Sequence, residues 1–450
     1  MVQMSGVHTI LLLFLPIHLP DVAVLFLGAA CAFLMAYLFT IVVGALCRKK
    51  GWLDRPAARR VHVNPVPRLG GVAMFSAFLL TSLLFYAPGT GPNAKPESEN
   101  LAYWLLIVAA TLIVVVHVYD DLKGLKPLPK LIAQTIAVII VLGPGRTAFY
   151  GILLYTFNNP FGHDIVRSSA PWYESSVLKV FIDQPEMRLM AIPAVLFTWL
   201  WIVGMMNTVN LIDGLDGLAS GVVGIAAAFI TVISWQQQQY SMAILAAIFT
   251  GSIFGFLPHN WNPAKIFMGD SGSMFLGLGL SVLSIMGGAK LALVLMVLGV
   301  PILDVAVVMI NRIRRGQSPL HYDKTHLHYR LMAMGLSAKQ ICLLFYSLTF
   351  AFGLMALSMP RIYKLIGITV VILTMTGLIV WVDRRQRKHG ALVLAEPVLS
   401  PEIEVEDMLL TSSPAAIMTA SHSEEPLAEA NSVPLQPVGT NEQIPEHYSR

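Results

Sequence analysis

The chain has 450 residues, 56% of them hydrophobic and 12% charged, with a mean hydropathy of +0.67 and a formal net charge of +4. Soluble domains carry roughly 25% charged residues, so this composition excludes an ordinary water-soluble globule and demands a lipid bilayer as solvent. No nucleic-acid partner is expected from it.

In chain order, residues 1–21 form an apolar lead-in that lacks both a preceding Lys or Arg and a following A-x-A site, and so differs from a cleaved signal peptide. Crossing a bilayer takes roughly 20 apolar residues. Runs that meet or approach this length lie near 22–46, 70–87, 102–119, 130–143, 189–206, 218–235, 240–257, 273–287, 289–311, 340–359 and 361–382. The fourth is short for a span. The expected fold is therefore all-α, a polytopic transmembrane helix bundle of about eleven spans in one domain, 22–382. From 383 onward comes a tail that turns acidic, as in "EIEVEDMLL" and "SHSEEPLAEANS", a composition expected to stay disordered. Cys31, Cys47 and Cys342 fall within or beside apolar runs, with no pairing or metal-ligand spacing, and read as small core residues.

Basic residues concentrate after the first, ninth and eleventh spans, in "CRKKGWLDRPAARR", "NRIRRGQSPLHYDKTHLHYRL" and "DRRQRKHG". If these segments face the cytoplasm, the N-terminus lies outside and the C-terminus inside. The polar clusters then all fall on that same side. "HVYDDLKGL" closes the third span with Asp120 and Asp121, a pair that reads as a solvated helix end, a shared proton or a cation site. "NTVNLIDGLDGLASG" follows the fifth, setting Asn210, Asp213 and Asp216 at three-residue steps, with Asn207 a turn earlier. Oxygen ligands of this kind suit Mg²⁺, and the adjacent glycines leave room for a ligand. "GDSGS" places Asp270 at the start of the eighth span, as a cap or as a metal ligand beside phosphate-attracting backbone N–H groups. Asp304 lies inside the ninth span, where a carboxylate must be paired or functional. Asn311 and Arg315 share its helical face and predict a polar stripe leading to the loop. His326 and His328 follow an Arg-rich lead-in with Arg312, a pattern that reads as a phosphate-binding loop.

With "YDDLKGL", "NTVNLIDGLDGLASG", "FMGDSGS" and "DKTHLHYRL" in this order over residues 22–382, the chain resembles the polyprenyl-phosphate N-acetylhexosamine-1-phosphate transferases. The resemblance implies transfer of sugar 1-phosphate from a UDP-N-acetylhexosamine, N-acetylglucosamine foremost, to undecaprenyl phosphate. UMP is released and a cell-envelope polysaccharide is begun. It also implies a Mg²⁺ cofactor, with Mn²⁺ as a substitute, a site on the cytoplasmic face of the bacterial inner membrane, and room for a homodimer. By the same resemblance Asp120 and Asp121 are catalytic, one of them deprotonating or orienting the lipid phosphate, and Asp270 with Asn210 binds metal. Asp213, Asp216, Asn207 and Asn260 fall to the substrate side. Arg312, Asp323, His326 and His328 match the loop that recognises the nucleotide sugar, and Asp54 and His62 fit the first loop. Tyr329 stands where close relatives commonly carry a further histidine.

Two other readings use the same residues. A phospho-N-acetylmuramoyl-pentapeptide transferase would be expected to carry a run of three histidines, where this chain has "HLHY". A transporter or flippase has its site near the midplane at a repeat interface, whereas these polar groups sit at helix ends and no internal repeat is visible.

Overall fold

The computed structural model describes residues 20–54, 65–92, 96–144, 151–153, 192–286, 290–314, 316, 326–360 and 363–395. Within them lie thirteen helices: α1 (Asp21–Lys50), α2 (Gly70–Phe85), α3 (Pro96–Lys123), α4 (Pro127–Leu142), α5 (Ile192–Ile212), α6 (Leu218–Gln236), α7 (Tyr240–Asn260), α8 (Gly269–Met286), α9 (Leu291–Val297), α10 (Gly299–Arg314), α11 (Leu327–Ala333), α12 (Ala338–Ser358) and α13 (Tyr363–Ala395). The all-α expectation misses one small ribbon, β1 (Leu53–Asp54) antiparallel to β2 (Val66–Pro67).

Each of the eleven expected segments contains a described helix. Eight helices are long and apolar enough to cross a membrane. Segment nine is instead two helices, α9 and α10, meeting at 75°. The break falls at Leu298, beside Gly299 and Pro301, and the proline sits in the first turn of α10, where its missing N–H costs no helical bond. Segments two and four, α2 and α4, are shorter apolar helices of 16 residues each. The chain is thus a polytopic helical membrane protein. Its last helix runs past the expected boundary at 382 as far as Ala395.

Helix α8 lies at the centre, with 89% of its residues buried, whereas only 22% of the apolar stretch of α1 or α13 is covered. The reason is compositional. "GDSGSMFLGLGLSVLS" alternates small residues with large ones, and in lipid small residues are what let helix backbones approach. Helices α3 and α5 pack along α8, and α2 crosses its start. Phe75, Phe78, Phe249 and Phe275 fill the space between α2, α7 and α8 with edge-on and tilted ring contacts. Helix α7 packs on α1 in the same way: a side chain on Gly255 would overlap the Phe33 carbonyl and press on Ala36.

Helix starts and ends converge at one end of the bundle. There the start of α8 meets the end of α3, the end of α5 and the start of α4, and the start of α2 pairs with residues 267–268 through Gly70 N–H to Phe267 O and Gly71 N–H to Met268 O. At the opposite end Glu99 accepts from Gly89 and Ser241, and the buried Lys290 donates to Ser234 and Gln239.

Replacing Gly255 with Leu should force α1 off α7 and destabilise the protein by about 1–3 kcal/mol, the usual range for overpacking. Thermal unfolding of the detergent-solubilised protein measures it, and an unchanged midpoint would show that this contact is not close-packed.

Candidate active site

The site begins with the way α3 ends. Gly124, at φ +74°, closes the helix, and its N–H bonds to the Asp120 carbonyl. Asp120 Oδ1 then accepts from Leu125 N–H at 2.6 Å, which leaves Oδ2 for the ammonium of Lys130 on α4. Asp121 faces the other way. Its Oδ1 accepts from the backbone N–H of Asp270 at 2.8 Å, and its Oδ2 accepts from Ser271 N–H at 3.1 Å and Ser271 Oγ at 2.7 Å. Asp121 is therefore the N-cap of α8, supplied from another helix, and its side chain is fully buried. The two carboxylates expected to act as a pair are split in role: Asp120 faces the cluster, and Asp121 builds it.

Asp270 consequently does not cap its own helix. With the cap supplied by Asp121, its carboxylate is free to meet two cations, Arg68 Nη2 at 3.3 Å and Lys130 Nζ at 2.7 Å. Arg68 Nε also lies 3.3 Å from Asp121. Gly269 makes the approach possible: its φ is +72°, and a Cβ there would press on the Arg68 carbonyl and the Asp121 carboxylate.

The acidic turn after α5 completes this wall. Asn210 donates to Ser273 Oγ at 2.9 Å, fastening the end of α5 to the first turn of α8. Among the described residues Asp213 makes no side-chain hydrogen bond, and burial with the nearby Asp270 carboxylate pushes its carboxyl well above the usual range, against the pull of Arg68. Asp216 leaves this face, because α5 stops at Ile212 and α6 starts only after Gly217, at φ +83°. Its Oδ2 instead accepts from Asn262 and Ala264 N–H. Asn260 holds the same loop, accepting from Gly217 N–H and Ser220 and donating to the Ile266 carbonyl. Asn207 sits a turn deeper, bonded to Gln134 and to the Val203 carbonyl.

Asp304 is paired as its place in a span requires. It accepts from Leu327 N–H at 2.8 Å and lies 3.0 Å from His326 Nδ1, so it anchors the start of α11. The expected stripe is displaced: Val308 and Arg312 share the buried face with Asp304, while Asn311 is exposed and Arg315 lies outside the described residues. His328 is fully buried, stacks on His326 with centroids 5.9 Å apart, and lies against Gly214, which brings the start of α11 to the acidic turn. Burial holds its imidazole down to about 4. Asp54 lies in β1 opposite Val66, on the ribbon that leads to Arg68. His62 and Asp323 lie outside the described residues.

Lys130 and Arg68 escaped the sequence reading, since a basic residue beside a span looks like a topology anchor. His117, a turn before Asp120 and fully buried, escaped it as well.

The described residues thus form a polytopic helical membrane protein with an acid cluster braced by Lys130 and Arg68 at its helix ends. Residues 103–288 match the model of glycosyl transferase family 4. A Bacillus subtilis protein named as a probable undecaprenyl-phosphate N-acetylglucosaminyl 1-phosphate transferase is 32% identical over 77% of this chain and 90% of its own length. The decaprenyl-phosphate N-acetylglucosaminephosphotransferase of Mycobacterium leprae is 31% identical over 73% and 81%, and the phospho-N-acetylmuramoyl-pentapeptide-transferase of Caldicellulosiruptor bescii 30% over 70% and 90%. The chain belongs to the polyprenyl-phosphate N-acetylhexosamine-1-phosphate transferase family and is a sugar-1-phosphate transferase.

Two outcomes follow from this geometry. Asp121→Ala orphans two buried N–H groups and a hydroxyl at the start of α8, so it should lower stability by about 1–3 kcal/mol, read as a drop in unfolding midpoint. An unfolded chain protonates histidine near 6.5, whereas His328 in the fold does so at about 4. Its contribution is therefore intact above pH 6.5 and is lost as pH falls toward 4, by as much as about 3 kcal/mol. His328→Phe should flatten that stretch of the stability–pH curve.

Proposed function

We propose that the protein transfers N-acetylglucosamine 1-phosphate from its UDP-sugar to undecaprenyl phosphate, releasing UMP, as the first membrane step of an envelope polysaccharide. The reading is carried by the Asp120–Lys130–Asp270–Arg68 cluster at the converging helix ends. The names of the relatives from Bacillus subtilis and Mycobacterium leprae support the sugar and the lipid carrier. The basic segments at the ends of α1 and α10 and in the last part of α13 support placing this end of the bundle at the cytoplasmic face of the bacterial plasma membrane, a topology in which all eleven apolar segments cross, with the N-terminus outside and the tail from 383 inside.

Among the described residues no three His, Cys, Asp or Glu side chains form a metal cage by themselves. Mg²⁺ does not need one: it commonly takes one or two carboxylates and completes its shell with water and substrate phosphate. Asp270, the carboxylate of Asp213, which has no hydrogen-bond partner among the described residues, and the amide oxygen of Asn210, whose Nδ2 is the atom bonded to Ser273, fit that requirement. When bound, the cation would offset negative charge on the diphosphate and on the departing UMP.

The chain's own groups do the rest. A lipid phosphate and a nucleotide diphosphate repel each other, and Lys130 and Arg68 oppose that repulsion where the two meet. Asp120 orients the attacking phosphate oxygen and takes its proton. A bond forms from that oxygen to the sugar-linked phosphorus while the bond from this phosphorus to the UMP oxygen breaks. Arg312, His326 and His328 hold the nucleotide sugar, with His328 neutral at physiological pH.

Purified protein given UDP-N-acetylglucosamine and undecaprenyl phosphate should release UMP and stop on chelation of divalent cations. Asp120→Asn and Asp270→Asn should each lower kcat by about 10²-fold or more with folded yield unchanged. Release only from UDP-N-acetylmuramoyl-pentapeptide would move the protein to that branch of the family. Silence with every UDP-N-acetylhexosamine would refute the reading.

A further inference from the structure

His117 is a buried titratable group beside the cluster to which neither the framework nor the reaction above gives a role. It sits on α3 one turn before Asp120 and Asp121, at the i, i+3 and i+4 spacing that puts side chains on one helical face. Its ring is fully buried within "VVVHV", an otherwise apolar stretch.

Its tautomer follows from one contact. Nδ1 lies 2.8 Å from the Ile113 carbonyl, and a carbonyl only accepts, so Nδ1 carries the hydrogen and Nε2 presents a lone pair. That Nε2 is buried and has no hydrogen-bond partner among the described residues. A buried acceptor left unmade is costly, and native structures retain few of them.

The charged groups close enough to act electrostatically on the ring are Asp270, Asp120 and Lys130. Two of these are carboxylates and, when ionised, cannot donate. Lys130 alone has hydrogens to give. It spends two of its three on Asp120 Oδ2 and Asp270 Oδ2, which leaves one.

We infer that His117 is a positioning residue whose Nε2 accepts the third N–H of Lys130 when the site is loaded, keeping the ammonium at the cluster as its carboxylate partners turn to the ligands. This rests on the function proposed above. In the free state Asp120 and Asp270 hold Lys130 between them. Once Asp270 turns to a cation, the ammonium keeps only part of that hold, and a fixed neutral acceptor beneath it prevents its drifting toward solvent. A second carboxylate there would do the same but would add to the charge the site must offset, whereas a neutral imidazole adds none.

His117→Phe keeps the ring and deletes the acceptor, while His117→Gln restores an amide oxygen close to the place of Nε2. With UDP-N-acetylglucosamine and undecaprenyl phosphate, His117→Phe should lower kcat by about tenfold or more, the worth of one hydrogen bond to a charged group, while KM for the nucleotide changes less than about twofold. His117→Gln should recover most of the lost kcat. In ¹⁵N-histidine spectra of the wild type, the Nε2 resonance should move toward its hydrogen-bonded position when Mg²⁺ and UDP-N-acetylglucosamine are added, and the shift should vanish in Lys130→Met. Full activity in His117→Phe, a loss that Gln does not restore, or an Nε2 resonance indifferent to ligand or to Lys130 would each overturn the inference. If either variant fails to fold, the wild-type and Lys130→Met spectra decide alone. Absence of UMP release from wild-type protein would refute the proposed function, and the spectra would still report on the contact.

Discussion

The site depends on one contact, the bond network from the Asp121 carboxylate to the start of α8. A helix start leaves N–H groups unpaired, and in most helices a neighbouring residue in sequence supplies the cap. Here the cap comes from a residue 149 positions away. Two consequences follow. The long-range bond fixes the end of α3 against the start of α8, and it releases Asp270 from capping so that its carboxylate can face Lys130 and Arg68. Gly269 and Ser271 belong to the same device, one by leaving room for the carboxylate and the other by adding a third donor.

Membrane physics explains why the rest of the bundle serves this contact. Lipid gives little hydrophobic drive for helix association, so close backbone approach and interhelical hydrogen bonds must hold α3, α4, α5 and α8 together. Below the cluster, Asn210 bonds Ser273, Asn207 bonds Gln134, and Trp199 bonds Thr135. These bonds link α5 to α8 and to α4, and they set the heights at which the helices end. Several of the residues expected to serve chemistry, Asn207, Asp216 and Asn260, are in this sense scaffold, locking helices and loops into register.

The sequence shows the helices well and the contacts poorly. Apolar runs near the length of a bilayer have few alternative structures, so all eleven segments are legible, down to the short α2 and α4. The 75° break at Leu298 is not, because the run across it stays apolar on both sides. The acidic motifs are legible as a group, since their helix ends share one side. The division of labour between Asp120 and Asp121 is not, because adjacent carboxylates look alike until the partner helix is placed. Lys130 is hidden for a different reason: a lysine at the start of a span serves topology equally well, and only its position between Asp120 and Asp270 separates the two roles.

Charge balance ties the site to its place at the helix ends. Asp120, Asp121, Asp213 and Asp270 face two cations, Arg68 and Lys130, so when all are ionised the carboxylates exceed the cations by two. Deep in a bilayer such an excess could persist only by taking up protons, since isolated charge there is prohibitive. At a helix end, water and ions can reach it. The raised carboxyl of Asp213 expresses the same imbalance, because burial and the Asp270 charge both disfavour ionisation there. A bound divalent cation would remove the excess and let Asp213 ionise. Under the proposed function, the cation and phosphates would therefore assemble together more readily than either would bind alone, and Arg68 and Lys130 would face the incoming phosphate once Asp270 had another partner.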